Sequence, residues 1–268
     1  MISHIMIVSI VFFKVVLTLM VFGYAAFCDW IKREINPLIW VPPIIIGIAL
    51  NAILTKHYLD LNIPSQNLDI IKLHTFLSLA VSIVIITISA ILSFILGLLG
   101  GADVLALATF VSLYPSNLEL MHKVTWGQLY VRNEIFALFF LPPIVIIFFV
   151  YLFIMLGLIV ANVIHNIANK DLLRCLRLPL QKKIFYVLFG KTVKVRDISL
   201  KKFYYPIYVP NLLERATFNI NEDYELWIEK LRKLDPDLVI VVTWGTPMVT
   251  FTAIGILIYA LYYTIMMM

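Results

Sequence analysis

Charge is scarce in this chain. Asp, Glu, Lys and Arg make up only 14% of its 268 residues, against 62% hydrophobic, and the mean hydropathy is +0.97. A soluble globular domain carries roughly 25% charged residues. The composition therefore excludes one and predicts an integral membrane protein, with room for several spans and one modest extramembrane domain. Cysteine is scarcer still. Cys28 and Cys175 stand far apart, with no CxxC and no Cys/His cluster, which excludes a disulfide framework and leaves no zinc-site spacing. No metal and no cofactor are expected. No internal repeat is visible either, which disfavours a transporter assembled from two related halves. The formal excess of +5 makes no case for nucleic acid; its distribution along the chain reports orientation instead. The first residues lack a basic n-region and an A-x-A cleavage site, so they read as a retained span rather than a removed signal peptide.

What the chain has is long apolar runs. Six spans are predicted: about Ile5 to Cys28, Pro37 to Leu54, Thr75 to Leu96, a short one from Ala102, Ile135 to Val160, and Pro247 to Ile265. Lys14, inside the first, is expected to snorkel its long stem to the nearer interface rather than form an ion or proton site. Pro42 and Pro43 should delay or kink the second. His57 and His74 fall in a polar stretch, Thr55 to His74, and read as exposed loop residues, not as metal ligands. The fourth span has thirteen residues before Pro115. That is ~20 Å of helix, short of the ~30 Å hydrocarbon core. The helix must either pass Pro115 or stop inside the membrane.

The region Ala161 to Leu238 holds fourteen of the twenty-one Lys and Arg residues, against nine acids. Short alternating pieces such as Lys191-Thr192-Val193-Lys194-Val195 predict a small, partly β domain. Asn221 to Leu234 predicts an amphipathic helix with Leu226, Leu231 and Leu234 on one side. The expected fold is thus an all-α membrane protein of six transmembrane helices, with a small partly β domain inserted before the last. Residues 1–160 form the membrane core, 161–238 the basic domain and 239–268 the sixth helix. Lys170, Arg174 and Arg177 follow the fifth span closely and mark that side as cytoplasmic. Counting back over five spans places the N-terminus outside, and both the Lys32-Arg33 loop and the start of the fourth span inside.

One acid stands out. Between Thr75 and Tyr114 the only charged side chain is Asp103, preceded by Gly97, Gly100 and Gly101. A carboxylate at that depth is costly unless it faces a polar cavity or a partner. The glycines break the run and are expected to let two backbones approach closely. The topology sets Asp29, at the inner end of the first span, on the same membrane face. Two carboxylates within hydrogen-bond reach share a proton. One can then act as base on a water while the other donates to a carbonyl oxygen. This is aspartic-protease chemistry, which requires neither metal nor cofactor. Taken singly, each acid has a plainer reading: Asp29 as a helix-end charge, Asp103 as a structural acid paired with a base, although the third and fourth spans supply no base.

Gly100-Gly101-Ala102-Asp103 resembles the GxGD signature of membrane aspartic proteases. Asp29 followed by Lys32-Arg33-Glu34-Ile35-Asn36 resembles the first-aspartate segment of type IV prepilin peptidases, archaeal preflagellin peptidases above all. Leu188-Phe189-Gly190-Lys191 and Trp244-Gly245-Thr246-Pro247 are similar to phrases of the same family. The resemblance implies six spans, catalytic Asp29 and Asp103, and motif support from Gly100, Gly101 and Ala102. It also implies cleavage of short basic leader peptides from preflagellin or pilin-like precursors at the cytoplasmic face of the cell membrane. Ala102 stands where the signature has its second glycine, and Leu105 where many relatives have lysine. The paired-cysteine motif of the bacterial branch is missing, so peptidase action alone is expected, without methyl transfer. The acidic run Glu222-Asp223-Tyr224-Glu225 reads either as a contact for leader charges or as a solvated helix face. Two other functions stay open: a proton- or cation-coupled transporter using the same two acids, and an inactive scaffold, motivated by Ala102 and Leu105.

Overall fold

A computed structural model describes residues 2–60, 65–95, 100–117, 141–176, 178–198, 203–219 and 222–267. In chain order its helices are α1 (Ile2–Lys32), a 3-10 turn (Pro37–Trp40), α2 (Val41–Asp60), α3 (Ser65–Phe94), α4 (Gly101–Leu113), α5 (Pro143–Ala168), α6 (Lys170–Cys175), α7 (Leu180–Phe189), α8 (Val195–Ile198), α9 (Tyr224–Arg232) and α10 (Met248–Met267). The strands are β1 (Lys191–Lys194), β2 (Tyr204–Val209), β3 (Leu213–Glu214) and β4 (Val239–Trp244). The chain divides into two compact units, one of Met1–Tyr151 with Pro247–Met268, the other of Leu152–Thr246. Among the described residues five helical stretches are long and apolar enough to cross a membrane: Met6–Lys32, Pro37–His57, Lys72–Phe94, Pro143–Ala168 and Met248–Met266. They mark the chain as a membrane protein. α4 is apolar but shorter.

In the first unit, local chemistry sets the helix ends. α1 stops where Arg33 takes a left-handed φ of 58°, its N–H still reaching the Asp29 carbonyl at 3.2 Å. Pro42 and Pro43 fall in the first turn of α2, where missing N–H groups have no helical acceptor in any case. They delay the helix rather than kink it. α4 ends at Leu113 and does not pass Pro115. The irregular backbone that follows is held by side chains. Ser78 Oγ donates to the Pro115 carbonyl (2.6 Å), Asn117 Nδ2 to the Leu141 carbonyl (2.9 Å) and Tyr259 Oη to Asn117 Oδ1 (2.6 Å). Non-helical backbone between membrane helices persists only when it is satisfied in this way.

Packing inside this unit departs from the sequence reading at three places. A close backbone approach that the sequence reading did not expect occurs at Gly47, where an added Cβ would lie 2.6 Å from the Ser112 carbonyl oxygen. At Gly101 the nearest atom would be Phe94 Cε1 at 3.9 Å, an ordinary contact; Gly97 lies outside the described residues. Lys14 does not snorkel. It is 1% exposed, and its Nζ donates to Asn51 Oδ1 at 2.7 Å, 5.8 Å from the centre of the Tyr114 ring. The same Asn51 amide donates to the Gly47 and Ser112 carbonyls (2.8 and 2.7 Å), tying α2 to α4. The stretch around His57 and His74 is not an exposed loop. α2 runs on to Asp60 and α3 starts at Ser65, so both histidines are helical, and His74 is buried. Helix propagation past an apolar run needs only tolerant residues, which the run itself does not reveal. Phe110, Tyr114, Tyr259 and Tyr263 form an aromatic core in which Phe110–Tyr259, Tyr114–Tyr259 and Tyr114–Tyr263 meet edge to face, with centroids 5.2–5.4 Å apart.

The second unit is built on an antiparallel sheet of order β1-β4-β2-β3. β4 alternates as a two-faced strand must. Ile240 and Val242 join Val193, Val209, Ile228 and Leu231 on one face, and Val241 joins Ile207, Tyr186 and Leu176 on the other. The inward side of α9 is Tyr224, Ile228 and Leu231, at i, i+4 and i+7; Leu226 is 55% exposed and does not belong to it. The acidic run is committed to structure. Asp223 accepts from the Glu225 N–H (2.8 Å) as the helix cap, and Glu222 takes both Arg215 Nη2 (2.8 Å) and Trp227 Nε1 (2.7 Å). α5 continues past Val160 with a polar stripe, Asn162, His165 and Asn166. Asn166 donates to the Val187 and Gly190 carbonyls (3.1 and 2.7 Å) and accepts from Thr192 N (2.8 Å), which covers the edge strand β1.

Candidate active site

Asp103 is placed by its own helix. Gly100 is the N-cap of α4 and Asp103 its third residue. The carboxylate Oδ2 accepts from Gly100 N at 2.8 Å, while Asp103 N donates to the Gly100 carbonyl at 3.0 Å. An acid at this position satisfies an orphan donor and faces the positive end of the helix. Ala102 lies within the helix and is not among the residues with positive φ, so alanine in place of the signature glycine meets no backbone strain. Leu105 is partly buried against the bundle core.

Asp29 is placed by another helix. It sits in the last turn of α1, and its Oδ2 accepts from Thr250 N (2.9 Å) and Thr250 Oγ1 (3.0 Å), both in the first turn of α10. The Val249 N–H and the Arg33 charge also act on this carboxylate. Thr250 Oγ1 lies 3.0 Å from the Ala26 carbonyl as well. Its single proton is therefore divided between a carbonyl and a carboxylate. Asp29 thus closes the start of α10 from outside, as a capping side chain would.

The fold brings the two acids within electrostatic reach, since the Asp29 charge is felt at Asp103. At 7% and 8% exposure they are the buried carboxylates among the described residues. A largely apolar cleft of about 280 Å3 opens between α3, α4, α5 and α10, lined by Leu107, Ile147, Tyr151, Met248 and Thr252. Leu107 is one helical turn beyond Asp103, and the Asp103 charge is felt at Tyr151. The arrangement sets two buried carboxylates in one helical unit, near a surface suited to apolar side chains. Among the described residues no three His, Cys, Asp or Glu side chains gather as metal ligands.

Thr250 and Tyr151 were not singled out from sequence. Thr250 is a threonine inside an apolar run, and nothing in its local sequence names a partner. Tyr151 is one aromatic residue in a uniformly apolar run. The chain matches no family model, no curated protein and no solved structure.

Proposed function

We propose that the chain is a membrane aspartic endopeptidase that removes short basic leader peptides from preflagellin- or pilin-like precursors at the cytoplasmic face. The observation that carries this reading is the pair Asp29 and Asp103, two buried carboxylates from distant parts of the chain within electrostatic reach of each other. The pair shares one proton. The ionised acid takes a proton from water as its oxygen attacks the peptide carbonyl, and the protonated acid donates to the carbonyl oxygen. Collapse of the tetrahedral intermediate returns a proton to the leaving amine. Thr250 holds Oδ2 of Asp29, which turns the other oxygen toward the water. The apolar cleft receives side chains of the precursor's hydrophobic segment. In this reading α4 is the short fourth of six spans, the N-terminus is outside, and the basic region 161–238 is cytoplasmic, as its Lys and Arg residues argue.

A second reading, a proton- or cation-coupled transporter, is favoured by the buried Lys14–Asn51 pair, because an ionisable group inside a bundle is a frequent transport element. One experiment separates the two. The purified full chain is placed in proteoliposomes with a panel of leader-bearing precursors, and cleavage products and proton flux are followed together. Cleavage just after a basic leader supports the peptidase. Solute-dependent proton flux without cleavage supports the transporter. Inactivity in both arms supports the scaffold.

A further inference from the structure

We propose that α7 is an interfacial helix that docks on an anionic lipid surface. This rests on the second unit alone and does not depend on the catalytic reading. α7 has two apolar sides. Tyr186 is buried against Ile207, Val241 and the Tyr208 ring, 5.7 Å away. On the opposite side Leu180, Ile184, Val187 and Leu188 recur at i, i+4, i+7 and i+8, the spacing of a second helical stripe. Leu180 is 74% and Ile184 53% exposed. Among the described residues the sheet occupies one side of the helix and leaves Leu180 and Ile184 exposed on the other.

The depth of that face is fixed by α5. The Leu188 and Val187 carbonyls accept from Asn162 Nδ2 and Asn166 Nδ2, each at 3.1 Å. Both asparagines belong to Pro143–Ala168, a helix long and apolar enough to cross a membrane. The C-terminal end of α7 therefore lies against the last turns of a membrane-crossing helix, at the level where hydrocarbon gives way to headgroups. Charge selects the occupant. Between Lys170 and Phe189 the sequence carries five basic residues and one acid. Lys183 follows Leu180 by one turn at the margin of the stripe, where its stem can lie along the apolar surface and its ammonium reach outward. An apolar face with Lys183 at its margin, set in a basic stretch at bilayer depth, fits anionic phospholipid. A second copy of so basic a face would repel itself.

The test uses the full chain in nanodiscs. Cys28 and Cys175 are changed to serine, and one new cysteine, Ile184→Cys or Leu180→Cys, carries a bimane label. Leu226→Cys, exposed on α9 of the same unit, is the reference. A lipid bearing a nitroxide near the headgroup should quench the α7 labels about threefold more than the reference, with matching protection from aqueous iodide. Mixing phosphatidylglycerol into phosphatidylcholine should deepen the quenching about twofold, and Lys170→Glu with Lys183→Glu should cancel that gain. Equal iodide access at α7 and α9 would overturn the proposal. So would iodide protection without nitroxide quenching, which indicates a protein cover, or quenching indifferent to lipid charge.

Discussion

Asp103 and Asp29 are held in place by opposite routes. The first is anchored three residues from its own N-cap, by a backbone N–H of the same helix turn. The second is anchored by Thr250, from the far end of the chain, through a contact that exists only once α1 and α10 have packed. A local anchor survives local helix formation alone, whereas a tertiary anchor depends on the whole bundle. The pair joins a carboxylate held within one helix turn with one held only by the packing of α1 against α10.

The comparison concerns placement, not chemistry, so both acids should be equally indispensable. Asp29→Asn and Asp103→Asn should each slow precursor cleavage by roughly 10³-fold, the scale of a lost acid–base group, measured as initial rates in proteoliposomes. A large loss in only one variant would break the symmetry and leave the other acid as a helix cap.

Next in size is the polar link elsewhere in the bundle. Asn51→Leu removes the oxygen that Lys14 Nζ donates to and should destabilise the unit by about 2 kcal/mol, the worth of a charge-assisted hydrogen bond. Adding Lys14→Met should recover most of it, since an apolar pair of similar volume replaces a buried charge well. Thermal unfolding in detergent checks both. Failure of the methionine to rescue would show that the lost Asn51 bonds to the Gly47 and Ser112 carbonyls, rather than the lysine left behind, carry the loss.

The anchors themselves can be compared directly. Thr250→Val keeps the backbone N–H but deletes the hydroxyl donor to Asp29, and should cost about tenfold in kcat, with Thr250→Ser restoring it. Gly100→Pro keeps the observed φ of −74° and removes only the N–H that Asp103 accepts. Because the rest of the helix end still faces that carboxylate, the loss should be only about threefold. A larger effect at Gly100 than at Thr250 would reverse the ranking.

Much of this was legible in the sequence, and the limits have physical causes. An acid in an apolar run with glycine before it announces both its cost and its helix start, so Asp103 and its neighbourhood could be read locally. The apolar runs gave the five long helices, and the strand at Lys191 showed in its alternation. Long-range partners left no local trace. Thr250 bonded to Asp29, Asn51 bonded to Lys14, and Gly47 seated against Ser112 each join residues that only packing makes adjacent. The snorkelling expectation for Lys14 failed for that reason: a lysine in a span has two ways to avoid an unpaired charge, and sequence does not show whether a neighbouring helix supplies the acceptor. Leu226 was misassigned because its spacing to Leu231 does not match a helical face, whereas Ile228 has the right offset.

The smallest effect lies outside the membrane helices and sharpens the contrast with the buried pair. Burial raises the Glu222 pKa, but hydrogen bonds from Arg215, Asn219 N–H and Trp227 outweigh it and hold the group below its ordinary value. A carboxylate depressed in the folded state contributes stability above its unfolded pKa, about 4.3, and loses it as pH falls through the folded value. Unfolding of the second unit, followed by Trp227 fluorescence, should therefore be flat from neutrality to that range and weaken below it. Glu222→Gln should reduce that dependence, leaving the share of Asp237, which Lys194 and Arg196 also hold below its ordinary value.

The central claim is that two acids act as one device, and a double-variant cycle tests it most directly. Cleavage rates of wild type, Asp29→Asn, Asp103→Asn and the double variant are compared on one precursor in the same membranes. If the carboxylates work as a unit, the double variant falls no more than about threefold below the slower single one. Losses that multiply, or either single variant cleaving at the wild-type rate, would contradict the account.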